Sequence, residues 1–184
     1  MPDLPNTAFL PRVWNNRNDD LQNLAGVFGT LSGSRFTPEA CPAGLLCSRS
    51  GSTTGGTARF VAGTGAEELW VCNPSDVQRI SDGHENLYAL GCRTLGLALP
   101  AGRIGTFTRL KQGEVYAFGS GNFSATPDSD YPYVIPGSGG QLTVSEDKPA
   151  SGFYFVLDPL LGTDCWTEGS NSTQRRFNLL CCKA

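Results

Sequence analysis

The sequence predicts an all-β protein: an antiparallel β-barrel or β-sandwich of short strands, preceded by an extended N-terminal arm. Three observations carry this. About ten short runs of apolar or alternating residues recur along the chain, each bounded by Gly, Pro, Asn or Ser. Twenty-three Gly and twelve Pro in 184 residues supply turns at close spacing. Charged residues make up only 17% of the chain, against roughly 25% in an average globular protein. The surface is therefore polar through Ser, Thr and Asn rather than through charge. The length fits a single β-rich domain over residues 21–184, with residues 1–20 as the arm.

The arm comes first. Pro2, Pro5 and Pro11 fix φ and bias their predecessors toward extended geometry. Between and after them stand Phe9, Leu10, Val13 and Trp14, an apolar group that water disfavours. Two placements fit: an edge strand across its own domain, or a grip on a neighbouring subunit. Asn18 as cap, with Leu21 and Leu24 on one face and Gly26 as stop, fits a short helix.

In the body, residues 44–49 and 57–62 read as strands around an exposed loop, Ser50 to Thr57. Glu68 to Cys72 is a strand stopped by Asn73-Pro74. Residues 86–91 and 94–99 are apolar strand-like runs, and Pro100-Ala101-Gly102 is a turn. Arg103 to Leu110 alternates. Lys111-Gln112-Gly113-Glu114 then reads as a hairpin turn, with Val115 to Phe118 as the returning arm. Tyr131 to Ile135 carries a proline, which places it at a sheet edge. Gln141 to Val144, Gly152 to Leu157 and Arg176 to Cys181 complete the set, with a loop running through Trp166 to Asn171.

Composition narrows the function classes. The net charge is −3 and Arg175-Arg176 is the densest basic pair, which argues against nucleic-acid binding. No window approaches ~20 apolar residues, so none reads as a membrane-spanning helix. Met1 to Pro5 lacks a basic region followed by an apolar run, so no secretory signal is visible and synthesis in a cytosol, with reduced thiols, is expected. The seven cysteines, Cys41, Cys47, Cys72, Cys92, Cys165, Cys181 and Cys182, are odd in number and are not spaced as zinc knuckles. Apolar neighbours at Leu46-Cys47, Val71-Cys72 and Leu180-Cys181 suit buried free thiols. Cys41 and Cys165 fall in loops and are the two best placed to pair, or to meet another chain, under oxidising conditions. Cys181 and Cys182 should face opposite sides of one strand.

Catalytic motifs do not emerge. His84, the only histidine, sits in the polar stretch Ser81 to Asn86 and reads as exposed rather than as an acid–base group with Asp82 or Glu85. No nucleophile elbow, HExxH pair or phosphate loop is present. Asp128-Ser129-Asp130 is too short for a calcium loop. No enzyme activity, metal or cofactor is expected. Asn122-Phe123-Ser124 and Asn171-Ser172-Thr173 match the glycosylation triplet, but without a secretory signal they read as coincidence. Trp166, Tyr131 and Tyr133 lie beside loops and could build a sugar-stacking face.

The series Thr94 to Gly102, Gly105 to Leu110 and Gly113 to Ser124, followed by Tyr133-Val134-Ile135, Gln141 to Val144 and Pro149 to Phe155, resembles small virion proteins of tailed bacteriophages. The nearest type is the head decoration, or cement, protein. The likeness covers roughly residues 90–160 and is one of style and order. The cysteines and the loops of residues 40–60 depart from the simplest members. It implies a β-rich, non-enzymatic, oligomeric protein, often trimeric on the capsid lattice, with an arm gripping its neighbours. The expected function is decoration and stabilisation of a capsid through contacts with the major capsid protein, and the expected location is the virion. On this reading Phe9, Leu10, Val13 and Trp14 are the partner-binding residues. The alternative is a carbohydrate-binding β-sandwich displayed on a virion or cell surface, using Trp166, Tyr131 and Tyr133.

Overall fold

The computed structural model describes residues 9–12, 23–63, 67–73, 98–125, 127, 132–160, 162–168 and 172–184. Among these are fifteen strands, a single 3-10 turn at Ser120–Asn122 and no α-helix. The all-β expectation holds.

The first half closes into a five-stranded barrel. Its staves are β2 (Asn23–Ser32), β6 (Ala58–Ala62), β5 (Leu46–Ser52), β7 (Trp70–Asn73) and β9 (Gly105–Arg109), and β9 returns to pair with β2. Closure leaves no free edge on these five strands. One pair, β2 with β6, is parallel and the rest are antiparallel, so the barrel is not purely antiparallel. β3 (Arg35–Pro38) folds back on the end of β2 through Gly33-Ser34, where Gly33 has φ 59°. β4 (Cys41–Pro42) and β8 (Ala98–Leu99) form a separate sheet of two register pairs.

The second half is a seven-stranded antiparallel sheet. β1 (Phe9–Arg12), β10 (Val115–Gly119), β15 (Ser172–Lys183), β13 (Phe153–Leu157), β11 (Tyr133–Pro136) and β12 (Leu142–Ser145) lie in that order, and β14 (Thr163–Glu168) pairs with the start of β15. β13 and β14 follow one another along β15, separated by a looped excursion at residues 158–162. Asn178 ties both ends of that loop. Its carbonyl accepts from Asp158 N (2.8 Å), and its backbone N and Nδ2 both donate to Gly162 O (3.0 Å each).

Two cores follow from strand alternation. Inside the barrel lie Phe28, Ala58, Phe60, Trp70, Leu99 and Phe107 with three cysteines. Phe60 stacks on Phe107 at 4.0 Å and 12°. Between barrel and sheet lie Leu46, Leu69, Val71 and Leu110 from one side and Tyr116, Phe118, Val134, Phe155, Phe177, Leu179 and Cys181 from the other. β7 and the start of β5 are therefore buried on both faces: Cys47, Trp70 and Cys72 point into the barrel, Leu46 and Val71 out to the sheet.

Several expectations are corrected. Lys111 to Glu114 is not a hairpin turn. β9 belongs to the barrel and β10 to the sheet, so the turn carries the chain from one to the other. Leu110 N donates to Leu69 O (2.8 Å), Gly113 N to Cys181 O (2.8 Å) and Lys111 N to Tyr116 Oη (2.9 Å), which fixes the corner. Leu24 and Gly26 lie in strand β2 rather than in a helix; the backbone there pairs with β9 and β6. Tyr133 and its neighbours are not at an edge, because β11 lies between β12 and β13; its prolines flank the strand or end it, where no ladder N–H is needed. Thr163–Glu168, expected to lie partly in a loop, is strand β14. β5 runs on to Ser52 through an irregularity after Arg49, where Gly51 has φ 115°.

Candidate functional site

The arm enters the structure as β1. Phe9, Leu10, Pro11 and Arg12 stand opposite Phe118, Ala117, Tyr116 and Val115 of β10. Pro11 suits this position because an edge strand turns one side of its backbone away from the ladder. β10 is fully buried along its length and is flanked by β1 and β15. Of the proposed partner-binding residues, Phe9 and Leu10 thus lie on the edge of their own sheet, and Val13 and Trp14 lie outside the described residues.

Of the sugar-stacking candidates, Tyr131 lies outside the described residues. Tyr133 stands in β11 opposite Val156, which faces Leu180 of β15. Trp166 stands opposite Gln174 of the same strand. Six residues of β15 separate these positions, roughly 20 Å of extended chain. The neighbour that Tyr133 does acquire is Tyr154, ring centroids 6.0 Å apart at 68°. Lys148 Nζ lies 5.4 Å over the Tyr154 ring, which is 8% exposed. The Tyr133–Tyr154–Lys148 group escaped sequence reading, although Tyr154 occupies the alternate position between Phe153 and Phe155, on the other face of β13.

Other polar residues have structural duties. Asn122, in a glycosylation triplet, is buried and its Nδ2 donates to Ala43 O at 2.7 Å, so its amide is committed to holding the 43–45 turn. Asp158 is buried and its Oδ1 accepts from Leu160 N at 3.0 Å, shaping the 158–162 loop. Arg109 pairs with Glu68 at 3.0 Å, and Glu68 also accepts from Trp70 Nε1 at 3.3 Å. His84, Asp128, Asp130 and Asn171 lie outside the described residues. Among the described residues no three His, Cys, Asp or Glu side chains are placed to hold a metal ion.

The densest chemistry is sulfur. Cys41, Cys47 and Cys72 are all buried in the barrel core, and Cys41 belongs to β4 rather than to an open loop. The register sets them together. Cys47 faces Trp70, so Cys72, two residues on, shares its side of the sheet. Gly44 turns the chain at φ 76° between Cys41 and Cys47, and its N–H donates to Cys72 O at 2.8 Å. Cys41 Sγ lies 3.7 Å from Pro42 O, in the same buried cluster as Cys47 and Cys72. Cys72 Sγ also reaches Cys41 O at 3.7 Å, and Cys47 Sγ reaches Leu45 O at 3.3 Å. Burial pushes the Cys41 thiol well up, helped by its two sulfur neighbours. Burial raises Cys47 as well, although the hydrogen bond from Cys41 works against the shift. Cys41 and Cys47 are thus neutral thiols at ordinary pH. Across the molecule, Cys181 is buried in the second core and pushed up to about 12 by burial, then by Cys182; Cys182 is half-buried on the opposite face, as strand alternation requires.

Comparison with protein-family models, with curated proteins and with solved structures finds no match to this chain.

Proposed function

We propose that this chain is a structural virion protein that decorates and stabilises a bacteriophage capsid by binding capsid subunits. The observation that carries the reading is the N-terminal segment. It is held as a four-residue edge strand by backbone pairing to β10, and it is continuous with the apolar residues Val13 and Trp14. A strand held this way is the type of element that can add to a neighbouring sheet, with main-chain hydrogen bonds for affinity and alternate side chains for specificity. An all-β body in which only 17% of residues are charged supports the same reading. So does the likeness in order over residues 90–160 to head decoration proteins. The partner is the major capsid protein and the working state is a homo-oligomer, with a trimer favoured.

Co-sedimentation with capsids of the phage that encodes the chain tests this. The full chain should pellet saturably with capsids, and a chain lacking residues 2–17 should bind more weakly while keeping the β-sheet circular dichroism of the body. Failure of the full chain to pellet refutes the reading. Undiminished binding of the truncated chain removes the arm from it. Glycan-array binding that falls on Trp166→Ala would instead favour a carbohydrate-binding module.

A further inference from the structure

We propose that the thiol cluster at the barrel end is a redox-sensitive lock, in which Cys41 closes a disulfide onto Cys47 and fastens β4 to the barrel wall. Three features of the geometry point to it. Cys41, Cys47 and Cys72 share one buried core, and the Cys72 thiol reaches the Cys41 carbonyl at 3.7 Å. The five residues between Cys41 and Cys47 already fold back as a turn, with Leu45 N donating to Pro42 O at 3.2 Å. And β4, which carries Cys41, is attached to β8 by only two register pairs, Cys41 with Leu99 and Pro42 with Ala98. Cys47 is the partner rather than Cys72 because only five residues, folded back as this turn, separate it from Cys41 along the chain.

The same two-pair sheet supplies the route of access. Lifting β4 carries Cys41 out of the core to solvent, where its thiol regains ordinary acidity and can ionise. The oxidant is a small-molecule disulfide such as oxidised glutathione. The Cys41 thiolate attacks one of its sulfurs, forming a mixed disulfide and releasing one glutathione thiolate. Cys47 then loses its proton to solvent and attacks the Cys41 sulfur, forming the Cys41–Cys47 bond and expelling the second glutathione thiolate. Two protein thiols give up two electrons and two protons, and one glutathione disulfide becomes two thiols. Cys72 stays reduced. Because opening precedes chemistry, the rate of locking levels off as the oxidant concentration rises.

The test uses the folded full chain incubated with oxidised glutathione, acid-quenched, alkylated, digested and mapped by mass spectrometry. The expected result is one Cys41–Cys47 cross-link per chain, a rate that saturates with oxidant, and a higher thermal midpoint for the oxidised than for the reduced protein. Cys41→Ala and Cys47→Ala should each lose both the cross-link and the oxidant-dependent rise in midpoint, and Cys182→Ala should keep both. The wild-type map decides the matter even if one variant fails to fold. Recovery of all seven thiols after denaturation, a cross-link through Cys72, or only glutathione adducts would overturn the proposal.

Discussion

Gly26 is where the barrel is most sensitive to a single methyl group. It lies in β2 against the parallel partner β6, opposite Ala58. A Cβ at this position would fall 2.5 Å from Phe60 Cδ2 and 3.1 Å from Ala58 O. Phe60 cannot yield easily: it is fully buried, stacks on Phe107 at 4.0 Å and meets Trp70 at 5.5 Å. Overpacking of this type costs about 1–3 kcal/mol. The smaller entropy of an unfolded chain with Ala in place of Gly gives back roughly 0.4–1 kcal/mol. Gly26→Ala should therefore destabilise by about 1–2 kcal/mol, read from urea unfolding at neutral pH. Gly139→Ala is the control, because no atom lies within 4 Å of its added Cβ; it should stay within about 0.5 kcal/mol of the parent. Phe60→Leu shrinks the group the methyl collides with. The double change should then cost at least about 0.5 kcal/mol less than the sum of the single ones. A Gly26→Ala chain as stable as the parent, or strict additivity with Phe60→Leu, would refute the close β2–β6 approach in the barrel wall.

Two further outcomes follow from buried polar groups. Cys181 is held near 12 in the folded chain but ionises near its ordinary value of about 9 when unfolded. Its contribution is complete below about pH 9 and is lost as pH rises toward 12, at about 1.4 kcal/mol per pH unit for each such thiol. Burial also raises Tyr116, Cys41 and Cys47, which steepens the loss in the same direction. Urea midpoints measured from pH 7 to 10.5 should fall above pH 9, less steeply in Cys181→Ala; a flat profile would contradict the burial. Asn178→Ala removes the Nδ2 hydrogen bond to Gly162 O that helps close the 158–162 loop. It should cost about 1–3 kcal/mol by thermal or urea unfolding, and a neutral effect would mean the loop closes without it.

Most strand positions were legible because turn chemistry and alternation are local. Glycines at positive φ, such as Gly102 and Gly113, fall where turns were expected. Partner choice was not legible. Val115 to Phe118 is a strand as expected, yet it is buried on both faces and pairs with β1 and β15 rather than with the strand just before it. Alternation reports that a strand has a buried face, not which strand lies beside it. Gly26 misled for a related reason. A glycine after an apolar pair reads as a helix stop, whereas here it makes room for a phenylalanine from another strand. The thiol cluster was half legible. Apolar neighbours marked Cys47 and Cys72 as buried, but their meeting with Cys41 depends on the β5–β7 register and the Gly44 turn. The two tyrosines at 133 and 154 meet across paired strands twenty-one positions apart, a contact that no local pattern announces.

Stabilisation of the capsid is the claim that reaches furthest, and shell rupture tests it most directly. Capsids stripped of the protein should release their packaged DNA at a lower temperature than native ones, followed by the fluorescence of a DNA-binding dye. Adding back the purified full chain to saturation should restore the native rupture temperature, and the chain lacking residues 2–17 should restore it less at equal input. Stripped capsids that rupture at the native temperature, or saturated capsids whose rupture temperature does not move, would contradict the account.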